Sequence, residues 1–233
     1  MANTTVNLFL IFLCITATQG RNFSIVNHNY DNVDGICQTM VETQGYTCEE
    51  HLVETKDGYV LSLQRLPSGR SGNKASKPPV LIQHGLFCDA TIWLNSPDES
   101  LGFILADNGY DVWIGNTRGT KYSRGHRSLH PSDSAYWDWS WNELANYDLP
   151  AFVNFVYNQT GQRLHYTGHS LGTLIALAAF SQGQVLGMLR SAALLSPIAH
   201  MHQVTSPIAK VLANTFIVES LRLLGIHEFI PHG

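Results

Sequence analysis

The chain has 233 residues, which suffice for one sizeable domain with a large hydrophobic core and are too few for two comfortable ones. Only 14% of the residues are charged, and the formal net charge is −4. The sequence contains no basic patch or basic run, so we expect no nucleic-acid partner.

Residues 1–20 have the features of a secretory signal peptide. Their apolar core, Leu8–Ala17, is too short to span a bilayer as a helix. The small residues Thr18 and Gly20 suit cleavage before Arg21. No second apolar run approaches membrane-spanning length, so we expect a secreted or lumenal protein without a transmembrane segment. The alternatives are an uncleaved anchor and a buried helix.

Cleavage of that signal leaves three cysteines, Cys37, Cys48 and Cys88. In an extracellular protein the first two close a short loop and predict a disulfide, to which the loop-entropy relation assigns about 3 kcal/mol. Cys88 is then unpaired, and we expect a small, buried apolar side chain. Outside the predicted signal peptide, two Asn-x-Ser/Thr sequons, at Asn22 and Asn158, are candidate glycosylation sites that agree with secretion.

The next segments predict a β-hairpin and a buried strand. Residues 21–48 are polar and irregular. His51–Thr55 and Tyr59–Leu66 alternate apolar and polar residues around a glycine-containing turn, which favours a hairpin. Residues 67–79 are rich in Ser, Gly, Lys and Pro and predict a loop. The short apolar run Val80–His84 predicts a buried strand.

Helical and strand patterns then alternate. Residues 98–108 have helical spacing, with Asp98 as a candidate N-cap and Gly109 as a C-terminal stop. The run Tyr110–Gly115 predicts a strand.

The alternation continues along the rest of the chain. Residues 137–158 are helical in parts, and Asp148 followed by proline is typical of a helix start. Further along, Gln162–Gly168 predicts a strand, Ser170–Gln182 an apolar helix and Ser191–Ser196 a buried apolar run. Strands spaced by helices indicate a parallel sheet covered on both faces.

Gly168–Gly172 form a G-x-S-x-G pentapeptide between a predicted strand and a predicted helix. This context is typical of a nucleophile elbow, in which the two glycines let strand and helix approach closely around a strained turn. Ser170 is therefore the predicted catalytic nucleophile. It lies beside a helix N-terminus, whose partial positive charge favours a nearby oxyanion.

A second short motif, His84-Gly85-Leu86, follows the strand that begins at Val80. In hydrolases with a nucleophile elbow, one oxyanion donor comes from the loop after this strand and the other from the residue after the nucleophile. The predicted oxyanion hole therefore consists of the backbone amides of Leu86 and Leu171. Each such donor contributes about 10² to 10³ in rate. The alternative is a simple strand-ending glycine.

Two histidines near these motifs are not expected to act as the base. In a hydrolase with this elbow the order along the chain is Ser, then acid, then His, and His84 precedes the serine. We expect His84 to shape the oxyanion loop. His169, inside the pentapeptide, is expected to be a packing residue.

Together these motifs resemble the acid lipase family of α/β-hydrolases, which includes gastric, lysosomal and secreted plant lipases. The resemblance extends from about Asp34 to Gly233. The segments Gly45–His51 and Asp57–Tyr59 are most similar to the plant branch. The motifs that match are His84–Leu86, Leu94–Pro97, Asp107–Trp113, Asn116–Gly119 and Gly168–Gly172.

The resemblance implies an α/β-hydrolase core with a mostly parallel sheet and a lid inserted after the strand that ends near Pro197. It assigns residues 49–197 to the N-terminal part of the lipase domain, after an N-terminal segment at 21–48, and residues 198–233 to the start of the lid. The chain would then be truncated at its C-terminus, without the last core strands and most of the lid. An unpartnered edge at Ser191–Leu195 would be an aggregation hazard.

The catalytic acid and base of the family have no matching positions here. No aspartate occurs in the 61 residues that follow Gly172. The histidines and glutamates that follow Ser170 fall in the expected lid, where we expect solvated or packed side chains. They are His200, His202, His227, His232, Glu219 and Glu228.

The leading functional hypothesis is a secreted serine lipase that hydrolyses acylglycerol or steryl esters at a lipid–water interface, inactive if the chain ends at Gly233. It needs no metal and no organic cofactor, because this chemistry is complete in amino-acid side chains. A second hypothesis is a non-catalytic secreted lipid-binding protein. A third keeps the enzyme but gives it small water-soluble esters.

Overall fold

The computed structural model of the chain describes residues 16–18, 35–199 and 230–232. The strands are β1 (Thr16–Thr18), β2 (Glu49–Glu54), β3 (Tyr59–Leu66), β4 (Lys77–Gln83), β5 (Tyr110–Gly115), β6 (Gly125–His126), β7 (Leu164–His169), β8 (Leu189–Leu195) and β9 (Ile230–His232). The α-helices are α1 (Leu101–Asp107), α2 (Trp141–Glu143), α3 (Leu149–Thr160) and α4 (Leu171–Ser181). Short 3₁₀ turns occupy Glu42–Gln44, Ala90–Trp93, Ser134–Trp137 and Leu186–Met188, and π-turns occupy Cys37–Val41 and Leu144–Asp148.

The main sheet has the strand order β2-β3-β5-β4-β7-β8, with β6 paired to β3. The pairs β5–β4, β4–β7 and β7–β8 are parallel, whereas β2–β3 and β3–β5 are antiparallel. The sheet is therefore mixed and mostly parallel, as the alternation of strands and helices predicts. Its parallel half has the carboxyl ends of adjacent strands along one edge.

Hydrophobic layers cover both faces of this sheet. Side chains of β4 and β5 alternate between them: Leu81 and Trp113 belong to one cluster, Ile82 and Ile114 to the other. The first cluster also contains α3 and α4, and the second contains α1 and the segment around Val41. Strands buried on both faces require near-continuous apolar runs, which these two strands have.

Several boundaries differ from the predictions for a local reason. Residues 67–79 do not form a loop throughout, because Lys77 already pairs with Tyr110 at the start of β4. The ladder shifts register between Lys77 and Pro79, which accommodates prolines that have no N–H to donate. The segment 21–48 is also less irregular than expected from Cys37 onward, where two short helical turns form.

Of the two predicted aspartate caps, Asp148 directly precedes a helix, with Pro150 in its first turn, and Asp98 does not. Helix α1 starts at Leu101, since Ser100 has extended backbone angles and Asp98 lies in the preceding turn. Asp148 has helical backbone angles inside a continuous helical stretch and caps nothing with its side chain. That stretch begins instead at Ser140, which forms a capping box with Glu143.

The apolar run at Ser191–Ser196 is not buried, contrary to the prediction. It belongs to β8, the last strand on one side of the described sheet, where Arg190–Ala193 are exposed. Leu195 is 41% exposed. An apolar strand sequence therefore does not settle burial, which depends on the neighbours that pack on it.

The predicted signal peptide and lid fall largely outside the described residues. Within them, Thr16–Thr18 and Ile230–His232 pair as two parallel strands apart from the main sheet. Each helix of the described part is too short or too polar to cross a membrane.

Arg118 joins three elements through buried charges. Its guanidinium donates to Asp57 at 2.6 and 2.9 Å and to Asp148 at 2.8 Å, and its backbone N–H donates to Asp148 at 2.9 Å. The ring of Tyr59 lies 3.9 Å from the guanidinium carbon. Burial raises the pKa of Asp148, and the charge and hydrogen bonds of Arg118 oppose that shift. The ion cluster ties the hairpin turn to β5 and to the start of α3.

We expect Arg118→Met to lower the free energy of unfolding by about 3 to 5 kcal/mol, because it leaves a fully buried carboxylate without a countercharge. Urea denaturation of the full polypeptide measures this loss. The control is Arg127→Met, which removes an exposed ion pair with Glu54 and should cost about 0 to 1 kcal/mol. Equal losses in the two variants would contradict the role of burial.

Candidate active site

Ser170 lies in the turn between β7 and α4, at the carboxyl edge of the parallel strands. Its backbone has φ 51° and ψ −110°, a conformation that side-chain-bearing residues rarely adopt. Phe87, after β4, and Ser196, after β8, also have positive φ, at 60° and 51°. These are the non-glycine residues with positive φ in the described part, and all three follow adjacent strands. Strain of about 1 to 3 kcal/mol per residue is typical of functional sites.

The two glycines of the pentapeptide are required by backbone packing. A β-carbon at Gly168 would lie 2.7 Å from the carbonyl oxygen of Gly172. A β-carbon at Gly172 would lie 2.9 Å from the carbonyl oxygen of Gln83, at the end of β4. Both distances are shorter than van der Waals contact and involve backbone atoms. The first turn of α4 therefore packs directly on β7 and β4, which places Ser170 between them.

Hydrogen bonds hold the backbone of Ser170 on both sides. Its N–H donates to the carbonyl of Leu195 at 3.0 Å. Its carbonyl accepts from the Thr173 hydroxyl at 2.6 Å, and that hydroxyl accepts from the Ile198 N–H at 2.9 Å. The Tyr166 phenol donates to the Gly172 carbonyl at 2.7 Å. The strained turn is thus fixed by β7, by α4 and by the segment that follows β8.

The structure brings the predicted oxyanion loop next to Ser170. A β-carbon at Gly85 would lie 3.1 Å from Ser170 Cβ. Leu86 is the next residue along the chain. Leu171 is the first residue of α4, where backbone N–H groups have no intrahelical partner. Neither the Leu86 nor the Leu171 amide donates a hydrogen bond to any described residue. Two free amides beside a serine hydroxyl are a suitable environment for an oxyanion.

His84 is buried and has a structural role in this loop. Its Nε2 accepts from the Thr117 N–H at 3.2 Å, so the ring proton lies on Nδ1, which donates to the Gly85 carbonyl at 2.8 Å. Burial lowers the pKa of His84 and keeps the ring neutral. A histidine with both nitrogens occupied in this way fixes the loop backbone and has no nitrogen left for Ser170.

His169 packs against the oxyanion loop. Its ring makes an edge contact with Trp93, with centroids 6.3 Å apart. Its Nδ1 is buried without a hydrogen-bond partner among the described residues, and a β-carbon at Gly85 would approach this atom to 2.9 Å. The contact explains why the loop has glycine at this position.

The hydrogen bonds described for Ser170 are those of its backbone. The downstream candidates for a base or acid mostly fall outside the described residues: His200, His202, Glu219, His227 and Glu228. His232 lies in β9, and nothing is described of its side chain.

Thr173, Tyr166 and Leu195 were not among the predicted site residues. A signal for Thr173 exists in the sequence, since a threonine hydroxyl in a helix readily bonds the carbonyl three residues earlier. The contacts of Leu195 and Ile198 involve backbone atoms that a sequence pattern does not locate.

The remaining predicted residues are cysteines and glycosylation sites. Cys37 and Cys48 are joined by a disulfide, with Cα atoms 5.3 Å apart. Cys88 is unpaired and partly buried, and burial raises its pKa. Asn158 is exposed in the last turn of α3, whereas Asn22 lies outside the described residues. Within residues 35–199, no group of three His, Cys, Asp or Glu side chains has the geometry to hold a metal ion.

Two family models match the chain. The model described as a partial α/β-hydrolase lipase region matches residues 37–97. The model described as the α/β-hydrolase fold matches residues 78–216, which include both the oxyanion loop and the elbow.

Curated relatives are lipases. Triacylglycerol lipase 2 of Arabidopsis thaliana is 50% identical over 202 residues, which are 84% of this chain and 48% of that protein. Human lysosomal acid lipase/cholesteryl ester hydrolase is 46% identical over 196 residues, or 81% of this chain and 48% of the relative. Human gastric triacylglycerol lipase is 42% identical over 201 residues, or 83% and 50%. The chain spans about half the length of the curated relatives that it matches.

Solved structures agree on the fold. An esterase of Pyrococcus furiosus superposes with a TM-score of 0.54 and 17% identity, over 79% of this chain and 62% of that one.

Gly172→Ala should destabilise the protein by about 1 to 3 kcal/mol, because the new β-carbon collides with the end of β4. Alanine would favour the helix by about 1 kcal/mol if packing were irrelevant. Thermal and urea denaturation measure the difference. The control is Gly187→Ala, where nothing lies within 4 Å of the added carbon; a stability change of the same size there would contradict the packing argument.

Proposed function

Since the chain belongs to the α/β-hydrolase family, and within it to the acid lipases, we propose that it acts as a serine ester hydrolase on acylglycerols or steryl esters. The single observation that supports this most is the strained Ser170, held at the N-terminus of α4 and next to the Gly85 loop. Exposed apolar side chains beside it, Phe87 and Leu195, suit contact with acyl chains at a lipid–water interface.

The proposed reaction follows from this geometry. Ser170 Oγ attacks the ester carbonyl carbon while its proton passes to a histidine base, and the carbonyl oxygen becomes an oxyanion. The amides of Leu86 and Leu171 stabilise this charge. The oxyanion then collapses, the base protonates the departing alcohol, and water hydrolyses the acyl-enzyme by the same route. We place the base and its acidic partner outside residues 35–199.

A second candidate is lipid binding without hydrolysis. The observation that favours it is the Ser170 hydroxyl without a basic partner in the described residues. A serine that no base activates is a weak nucleophile, whereas the apolar surface around it would still bind an acyl chain.

We also propose that the protein is secreted or enters a lumenal compartment. The Cys37–Cys48 disulfide suits an oxidising environment. The exposed position of Asn158 is accessible to a glycan.

Ser170→Ala should lower kcat by about 10³-fold or more, because removal of a catalytic nucleophile leaves only binding and the oxyanion hole. The measurement is titration of the fatty acid released from emulsified triacylglycerol by the full polypeptide, expressed from its complete coding sequence. Ser181→Ala is the control, since this serine is exposed at the end of α4, and its rate should equal that of the wild type. Wild-type-like hydrolysis by Ser170→Ala would exclude Ser170 as the nucleophile. Fatty-acid binding without hydrolysis, unchanged in Ser170→Ala, would favour the second candidate.

The N-terminus of the native protein should be Arg21, and Asn158 should bear a glycan that peptide-N-glycosidase removes. Terminal sequencing and intact mass before and after enzymatic deglycosylation test both. The deglycosylated mass, compared with the 25.9 kDa of the 233 residues, also measures how much polypeptide the native protein contains. An intact residue Met1 and an unmodified Asn158 would count against secretion.

A further inference from the structure

The loop that bears Leu86 is held at each end by a hydrogen bond, and the two bonds go to the consecutive residues Asn116 and Thr117. It runs from Gly85 to Asp89, between β4 and the 3₁₀ turn that begins at Ala90. Before the loop, His84 Nε2 accepts from the backbone N–H of Thr117 at 3.2 Å. After the loop, the Ala90 N–H donates to Asn116 Oδ1 at 2.9 Å.

Both anchors are fully buried in the structure. Asn116 has no exposed surface, and Thr117 and His84 are 1% and 2% exposed. Asn116 and Thr117 directly follow β5, which pairs with β4 in parallel. Two consecutive residues after the neighbouring strand therefore hydrogen-bond to both ends of the loop. The loop itself contains a strained residue, Phe87, at positive φ.

The side chain of Asn116 is itself oriented by a chain of hydrogen bonds that starts in the interior and ends at the exposed Glu50. Its Nδ2 donates to Gln64 Oε1 at 2.8 Å, and Gln64 Nε2 donates to Glu50 Oε2 at 2.6 Å. The other oxygen of Glu50 accepts from the backbone N–H of Cys37 at 2.8 Å. A buried amide that both donates and accepts has one preferred orientation, so its Oδ1 is directed at the Ala90 N–H.

We propose that Asn116 is a positioning residue for the oxyanion hole, which sets the place of the Leu86 amide by anchoring the Gly85–Asp89 loop at Ala90. This inference rests on the proposed ester hydrolysis. Asn116 touches neither Ser170 nor the substrate and acts through the loop backbone. Donors of an oxyanion hole act by being fixed where charge develops, so a displaced amide lowers the rate without weakening substrate binding.

The test compares Asn116→Leu, which removes the acceptor, with Asn116→Asp, which keeps an oxygen facing the Ala90 N–H, in the full polypeptide. Asn116→Leu should lower kcat by about 10- to 100-fold, since a misplacement of this kind costs up to about 10². KM should change little, and affinity for a boronic acid that mimics the tetrahedral intermediate should fall with kcat. Asn116→Asp should retain more of the wild-type kcat than Asn116→Leu, because it keeps the acceptor for the Ala90 N–H while it loses the donor to Gln64.

Val53→Ala is the control for stability alone. Val53 is buried in β2 and belongs to the hydrophobic cluster on the other side of the sheet from Ala90. This variant should melt at a lower temperature with kcat unchanged. If Asn116→Leu fails to fold, Gln64→Met makes the same comparison, because it removes the acceptor that orients the Asn116 amide.

Equal kcat in Asn116→Leu and the wild type would overturn the inference, as would equal losses in the Leu and Asp variants or a rise in KM without a change in kcat. Ser170-dependent hydrolysis by the wild type separates this failure from failure of the proposed function. If the wild type hydrolyses no ester, the anchor is measured by amide hydrogen exchange at Ala90, which Asn116→Leu should accelerate. Unchanged exchange would then overturn the inference.

Discussion

The arrangement of the candidate site depends on the close approach of three backbones at the elbow. The first turn of α4 contacts the end of β7 through Gly168 and the end of β4 through Gly172, at distances that leave no room for a side chain. This contact places the N-terminus of a helix directly over the carboxyl edge of a parallel sheet. This packing restricts the backbone of Ser170, which adopts a positive φ. The backbone strain at Ser170 persists because the packing around the turn fixes this conformation.

Hydrogen bonds to backbone atoms fix the position of Ser170 in this turn. Thr173 links the Ser170 carbonyl to the N–H of Ile198, and Leu195 accepts from the Ser170 N–H. Hydrogen bonds therefore hold the segment after β8 and Ser170 together. Because buried polar groups must be paired, a change in that segment also changes the surroundings of the serine.

The buried polar groups of this fold are distributed around β5. Arg118, which binds Asp57 and Asp148, follows this strand. Asn116 also follows it, and its hydrogen bonds lead through Gln64 and Glu50 to Cys37 in the N-terminal segment. Charged groups in a low-dielectric interior stabilise only when their geometry is good. The residues that directly follow β5 thus connect the hairpin, the Gly85–Asp89 loop and the start of α3.

Local patterns in the sequence were sufficient for most strands of the main sheet, for the hairpin and for the strand–turn–helix around Gly168–Gly172, because each depends on residues adjacent in the chain. The two-residue strand β6 was not predicted. The elbow is predictable since two glycines and a serine at fixed spacing specify a turn by sterics alone. The sequence also placed His84 and His169 outside the catalytic base position, and their contacts agree with structural roles.

Only the tertiary structure decided which polar side chains meet and which apolar residues are covered. Asp148 has the sequence signature of a helix cap, yet Arg118, 30 residues earlier, takes its carboxylate. The apolar run in β8 predicts burial, yet it forms an exposed strand of the described sheet. Asn116 has no distinctive pattern, because its partners, the Ala90 N–H and the Gln64 side chain, belong to distant segments. Sequence spacing encodes local conformation, whereas burial and long-range hydrogen bonds are properties of the packed chain.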